Sequence, residues 1–269
     1  MASLSAFLHT PPGRYALAWE QAQLDRVVGD IFGYHAVQLG LPELDALREN
    51  RMPLRLLTNE RWLEPDAVEG RSIALLTSYE ELPLATGSVD LVVLPHTLEF
   101  ALEPHQVLRE VDRILVPEGQ VVITGFNPAS LWGARQAMTR LGALPFLPAE
   151  GQLISLPRVK DWLKLLSFEV NRGRFGGYAP CMGSEKWLQR FGFMEKAGDR
   201  WWPVLGALTM ITAIKRVRGM RLIGPVRRRR DVVPASMAPA ASKALLCGAA
   251  DPPENPFAAS QHGSRSDNV

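Results

Sequence analysis

The chain has 269 residues, 46% of them hydrophobic and 22% charged. Those proportions exclude a wholly disordered, collagen-like or coiled-coil chain, and the two cysteines, Cys181 and Cys247, form neither a disulfide framework nor a zinc site. The net charge of +2 conceals a division: from Lys215 onward ten Lys/Arg face four Asp/Glu, whereas the first 214 residues hold twenty basic and twenty-four acidic side chains.

Residues 1–13 read as a loose leader ending in Pro11-Pro12-Gly13, without the charged start and apolar stretch of a secretory signal. A helix is predicted over 14–32, with Leu24, Val27, Val28 and Ile31 on one stripe and Gly33 to end it. Strands follow at 34–40, 54–57 and 73–77, and a fourth, 89–94, is apolar on both faces like the centre of a parallel sheet. The segment 103–115 predicts a helix that buries Val107, Leu108, Val111, Ile114 and Leu115, with Pro104 in its first turn. Pro117-Glu118-Gly119 is a turn before a fifth strand at 120–124. Helices at 131–141 and 158–166, a Pro-rich loop between them, and strands at 168–174 and 208–215 complete the body. From 217 on, Ala, Pro, Ser and Gly dominate without periodicity, so 217–269 reads as a largely disordered basic tail. The longest apolar-rich uncharged run, 201–214, has fourteen residues, fewer than the roughly 18 that a membrane-spanning helix needs. A cytoplasmic protein is expected.

Alternating strands and helices predict a parallel sheet covered on both faces. Ligands of such sheets sit beyond the carboxyl ends of the strands, where the winding reverses. The loops after Leu39, Leu57, Thr77, Leu94 and Thr124 are therefore the ones to inspect.

The block 72–124 carries Leu82-Pro83-Leu84, then Ser88-Val89-Asp90-Leu91-Val92, then His96, then Leu108-Arg109-Glu110 and Arg113-Ile114-Leu115-Val116-Pro117-Glu118-Gly119, and last Val121-Val122-Ile123. This succession resembles the class I S-adenosylmethionine-dependent methyltransferases, specifically their type 11 group. With the order of elements included, the resemblance spans 14–216. The Gly125-Phe126-Asn127-Pro128 turn is also similar to that of a bacterial subgroup of uncharacterised methyltransferases. The resemblance implies a Rossmann-like, mostly parallel seven-stranded sheet with an antiparallel last strand, helices on both faces, and S-adenosyl-L-methionine as cofactor.

The family's glycine-rich loop after the first strand is here Gln38-Leu39-Gly40-Leu41-Pro42-Glu43-Leu44, in which one glycine remains and Gln38 stands where the family has an acid. Glycines there let the backbone approach a ligand without a Cβ in the way. The resemblance assigns cofactor contacts to Gly40, to Asn59 and Glu60 at the ribose, to Ser78 and Tyr79 near the adenine, and to His96. His96 and Asn127 are the expected substrate contacts, His96 with the chemistry of a base near neutral pH. No catalytic side chain is expected, because methyl transfer requires chiefly alignment of nucleophile, methyl and sulfur, and no metal ligand is expected either.

Other residues read as structural: Asp90 at the start of its strand, His35 and His105 away from the ligand side. Trp187, Trp201 and Trp202 read as packing, with the lining of a substrate cavity as the second reading. Arg227–Arg230 reads as a solvated basic run; phosphate contacts to a nucleic acid are the second reading, without interleaved aromatics for base stacking. The methyl acceptor is unassigned. The alternative to an enzyme is a non-catalytic relative whose cofactor cavity is filled by Leu41 and Pro42.

Overall fold

The structure is a computed structural model and describes residues 4–61, 73–142, 146–147, 151–180, 190 and 193–217. In chain order these form α1 (Leu4–Leu8), α2 (Pro11–Val28), β1 (His35–Leu39), β2 (Leu54–Asn59), β3 (Leu75–Leu76), β4 (Val89–Pro95) and α3 (Thr97–Phe100). Then come α4 (Pro104–Ile114), β5 (Leu115–Phe126), α5 (Leu131–Ala137), α6 (Leu156–Leu165), β6 (Phe168–Gly176), α7 (Phe193–Trp201) and β7 (Leu208–Lys215).

One seven-stranded sheet has the order β3-β2-β1-β4-β5-β7-β6. The first five strands pair in parallel, and β7 runs antiparallel between β5 and β6. The winding reverses between β1 and β4. Alternate residues of each central strand enter opposite cores, the period-2 consequence of the pleat. Ala36, Leu91, Val93 and Val122 face Leu24 and Val28 of α2. Val37, Leu39, Val92, Leu94, Val121 and Ile123 face α4 and α6 through Val107, Val111, Val159 and Leu163.

Several boundaries differ from the sequence reading. The leader contains α1, whose Phe7 meets the rings of Phe126, Trp132 and Phe146 edge-on at 5.9, 6.4 and 6.1 Å. Five residues are too few to show a periodic stripe, so only the contacts reveal this helix. The third strand shrinks to two residues. The fifth begins at Leu115 and runs through the Pro117-Glu118-Gly119 turn, with a register shift against β4 between Val89 and Leu91. The segment 175–207 supplies α7 and a short 3-10 turn at Pro203–Leu205. Asp90 is structural as expected: its Oδ2 accepts the backbone N–H groups of Tyr34 at 2.8 Å and His35 at 2.9 Å, fixing the entry to β1. The last strand of the sheet, β7, ends at Lys215. The Arg227–Arg230 run and Trp187 lie outside the described residues. Among the described residues no helix is long and apolar enough to cross a membrane.

Candidate functional site

The carboxyl ends of β1 and β4 meet at the winding reversal, and a cavity of about 430 Å³ opens there. That falls within the roughly 300–1,000 Å³ of small-molecule sites. Its wall comes from the end of β1 (Gly40, Leu41, Pro42, Glu43), the end of β2 (Asn59, Glu60, Arg61), Tyr79, the end of β4 (Pro95, His96, Thr97), Phe100 and, from α1, Leu4 and Ser5. Leu41 and Pro42 line this space rather than fill it, against the filled cavity expected of a non-catalytic relative.

Gly40 is held at φ +81°, a region that side chains other than glycine's strain to adopt. A Cβ placed on it would stand 2.8 Å from the Tyr79 hydroxyl oxygen. Leu41 continues the left-handed turn at φ 48°. What stabilises so unusual a turn is Gln38. Its buried amide Nε2 donates toward the carbonyls of Gly40 (3.0 Å), Leu41 (3.0 Å) and Leu44 (2.8 Å), while its Oε1 accepts from the Ala46 N–H at 3.1 Å. A carboxylate has no proton to offer three carbonyls. The glutamine is therefore the brace of this turn, a role hidden in the sequence because the three acceptors are main-chain atoms up to six residues away.

Asn59, Glu60 and Tyr79 form one connected wall. The Tyr79 hydroxyl donates to Asn59 Oδ1 at 3.1 Å, and the Tyr79 N–H donates to Glu60 Oε1 at 3.4 Å. Burial, and then the negative charge of Glu60, push the Tyr79 phenol far above its ordinary range, so it is a neutral donor at neutral pH. Thr97 ties the β4 end to the β1 end, its hydroxyl donating to the Leu39 carbonyl at 2.5 Å.

His96 adopts φ 55° immediately after β4. Its side chain is wholly buried between two carboxylates: Nδ1 lies 2.7 Å from Glu99 Oε2 and Nε2 lies 2.9 Å from Glu20 Oε1. The first contact is an aligned hydrogen bond. The second is an ion contact off the hydrogen-bond axis, so the Glu20 oxygens have no aligned donor among the described residues. Burial alone lowers the imidazole's affinity for its proton, but the charge of Glu20 and the charge and hydrogen bond of Glu99 outweigh it and lift His96 to about 10. An imidazole that keeps its proton at neutral pH does not act as a base there. His96 thus stands in the cavity lining as expected of a contact residue, and it offers the cavity a fixed wall and a share in a charged cluster rather than a free lone pair. Glu20 escaped the sequence reading although it carried a signal: it sits four residues before Leu24 and four after Ala16, an acid on the buried face of α2.

Two further expected contact residues lie outside the cavity wall. Ser78 is exposed and does not line the cavity; its hydroxyl oxygen accepts the Glu80 N–H at 3.3 Å, closing a local turn. Asn127 is absent from the cavity wall as well. Its Nδ2 donates to the carbonyls of Val204 (2.7 Å) and Gly206 (2.9 Å), and its Oδ1 accepts the Ala129 N–H (3.0 Å), so the amide is fully engaged in tying β5 to the turn before β7. Trp201 and Trp202 neither pack inside nor line the cavity: the 203–205 turn, held by Asn127 and by the Tyr178 hydroxyl on the Pro203 carbonyl, leaves them on the surface.

This strand order, with its single antiparallel insertion and a cleft at the winding reversal, is the class I fold of S-adenosylmethionine-dependent methyltransferases. Residues 59–123 match the family model described as a methyltransferase domain, a span that runs from the end of β2 into β5. Among solved structures, an S-adenosylmethionine-dependent methyltransferase from Archaeoglobus fulgidus superposes with a TM-score of 0.53 at 16% identity, over 74% of this chain and 94% of that one. A second, from Thermotoga maritima, gives a TM-score of 0.56 at 16% identity over 76% and 90%. The [4+2]-cyclase SpnF shares the fold too, at a TM-score of 0.51 and 16% identity over 76% and 82%, which illustrates that a fold does not dictate a reaction. In sequence, the chain is 33% identical over 165 residues to the uncharacterized protein YafS of Escherichia coli K12, which is 61% of this chain and 64% of that relative. The match thus spans less than two thirds of the relative's length.

Proposed function

We propose that the protein is an S-adenosylmethionine-dependent methyltransferase that binds its cofactor in the cavity between β1 and β4. The observation that carries this reading is the cradle at Gly40: an open space at the winding reversal, kept open because residue 40 has no Cβ to meet Tyr79. When bound, the cofactor supplies a methyl group on a positively charged sulfur. The chain's own residues would do the rest. Gly40 and Leu41 let the main chain approach the ligand, and Glu60, with Asn59 beside it, has acceptor oxygens for the ribose hydroxyls. Tyr79 flanks the base, and His96, with Thr97, walls the end nearest β4. No side chain in the wall is needed as a base, and His96, protonated between its carboxylates, does not provide one.

The test is calorimetry or equilibrium dialysis of the folded protein with S-adenosyl-L-methionine. Saturable one-to-one binding is expected. Absence of binding at millimolar ligand rejects the proposal.

A further inference from the structure

Glu20 on α2, His96 after β4 and Glu99 on α3 converge from separate elements into one buried cluster, with Glu20 and His96 side chains at 0% and Glu99 at 5% exposure. Each ring nitrogen faces a carboxylate oxygen within 2.9 Å. An imidazolium between the two carboxylates carries one proton on each ring nitrogen, Nδ1–H in an aligned hydrogen bond to Glu99 and Nε2–H in an ion contact with Glu20. Two protons on these three groups leave a net charge of −1, wherever along each contact the proton sits. Glu99 Oε1 accepts the neutral N–H of Phe126 at 2.6 Å, and Glu20 has no aligned donor among the described residues. A buried net charge is costly, which makes it informative. His96 is itself part of the cavity wall, and the rim adds Glu43, Glu60 and Arg61. Glu43 and Glu60 against Arg61 therefore stand on the wall itself, and the Glu20 and Glu99 carboxylates lie behind it, one contact away through His96.

We propose that the Glu20–His96–Glu99 triad selects the occupant of the cavity by charge, favouring a cation over a neutral molecule of the same shape. The proposal rests on the cofactor reading above. It means that the cofactor, with its sulfonium, binds more tightly than the thioether S-adenosylhomocysteine, which lacks that charge. Once the methyl group has left, the attraction disappears and the product dissociates. The three residues are positioning groups: they act through field and wall rather than by touching reacting atoms.

The experiment compares the dissociation constants of three ligands by calorimetry. They are S-adenosylmethionine, S-adenosylhomocysteine, and sinefungin, whose amine restores a positive charge at the sulfonium position. The wild-type protein is expected to bind both cationic ligands at least about fivefold more tightly than S-adenosylhomocysteine, the effect of one partly screened charge several ångströms away. In Glu20→Gln/Glu99→Gln, a neutral imidazole sits between two amides and the triad charge is zero. There the preference is expected to collapse to about one while S-adenosylhomocysteine affinity shifts less than about twofold. Equal weakening of all three ligands would mark the triad as purely structural and overturn the proposal, as would an unchanged preference in the variant. Should the variant not fold, the wild-type comparison decides alone: S-adenosylhomocysteine binding as tightly as the cations overturns the idea. Binding of none of the three to the wild-type protein overturns the cofactor reading, and this inference with it.

Discussion

Restoring an acid at position 38, as Gln38→Glu, is expected to damage the protein although it returns the residue type usual in the resembled family. In the structure one amide nitrogen serves three carbonyl oxygens at 2.8–3.0 Å with its two protons. A carboxylate removes both protons and sets a charged oxygen against those carbonyls inside the core. At about 1 kcal/mol for each carbonyl left without a donor, the loss is about 3 kcal/mol. With a urea slope of about 3 kcal/mol per molar, the midpoint falls by about 1 M at pH 7. The pH dependence has a definite sign. The new carboxyl is forced to protonate more readily in the folded state than in the unfolded one, so its folded pKa is raised. The deficit is then smallest below the unfolded value of about 4.3 and grows as pH rises toward the folded value. Urea unfolding at pH 4 and pH 7 reads both effects. A midpoint at pH 7 within about 0.2 M of wild type would refute the assignment of Gln38 as the brace of the loop.

Gly40→Ala should cost about 2 kcal/mol from the left-handed backbone and the displaced Tyr79 hydroxyl, and should weaken binding of S-adenosylmethionine about tenfold as the Tyr79–Asn59 wall shifts; thermal melting and calorimetry check both. Stability should also fall on the alkaline side. The raised His96 pKa contributes stability that is fully present below the unfolded value near 6.5 and is lost as pH rises toward about 10. The groups facing the ring are Glu20 and Glu99, so a Glu20→Gln/Glu99→Gln protein should show a flatter decline between pH 7 and 10 in urea titrations. Asn127→Ala should lose about 2 kcal/mol with the two carbonyls of Val204 and Gly206 unpaired, yet leave cofactor affinity within about twofold; a large affinity loss would return Asn127 to the site. On the acid side, Arg113 holds the Glu110 carboxyl below its usual range, so this pair's stabilisation is present above the unfolded carboxyl value and lost as pH falls. Glu110→Gln should accordingly show a weaker acid dependence of its melting temperature.

The sequence by itself determined the layered architecture, because hydrophobic period and turn chemistry are local. The doubly apolar Val89–Pro95 strand, the amphipathic Pro104–Ile114 helix and the Leu208–Lys215 strand were all legible from neighbours in the chain. It also pointed to the loops at the strand ends, since in a wound sheet these converge wherever the order reverses, and the resemblance singled out Gly40, Glu60, Tyr79 and His96 there, four residues that the fold brings to one cavity wall. Only the tertiary structure decided what those residues can do. Asn127 looked like a loop residue on the ligand side until its partners, Val204 and Gly206, arrived from beyond α7. His96 looked like a base until Glu20, 76 positions earlier, closed on its second nitrogen. Gln38 looked like damage until three carbonyls turned toward it. In each case the chemistry of a polar group is set by the atoms that replace water around it, and those atoms come from segments whose meeting is a property of packing rather than of local pattern.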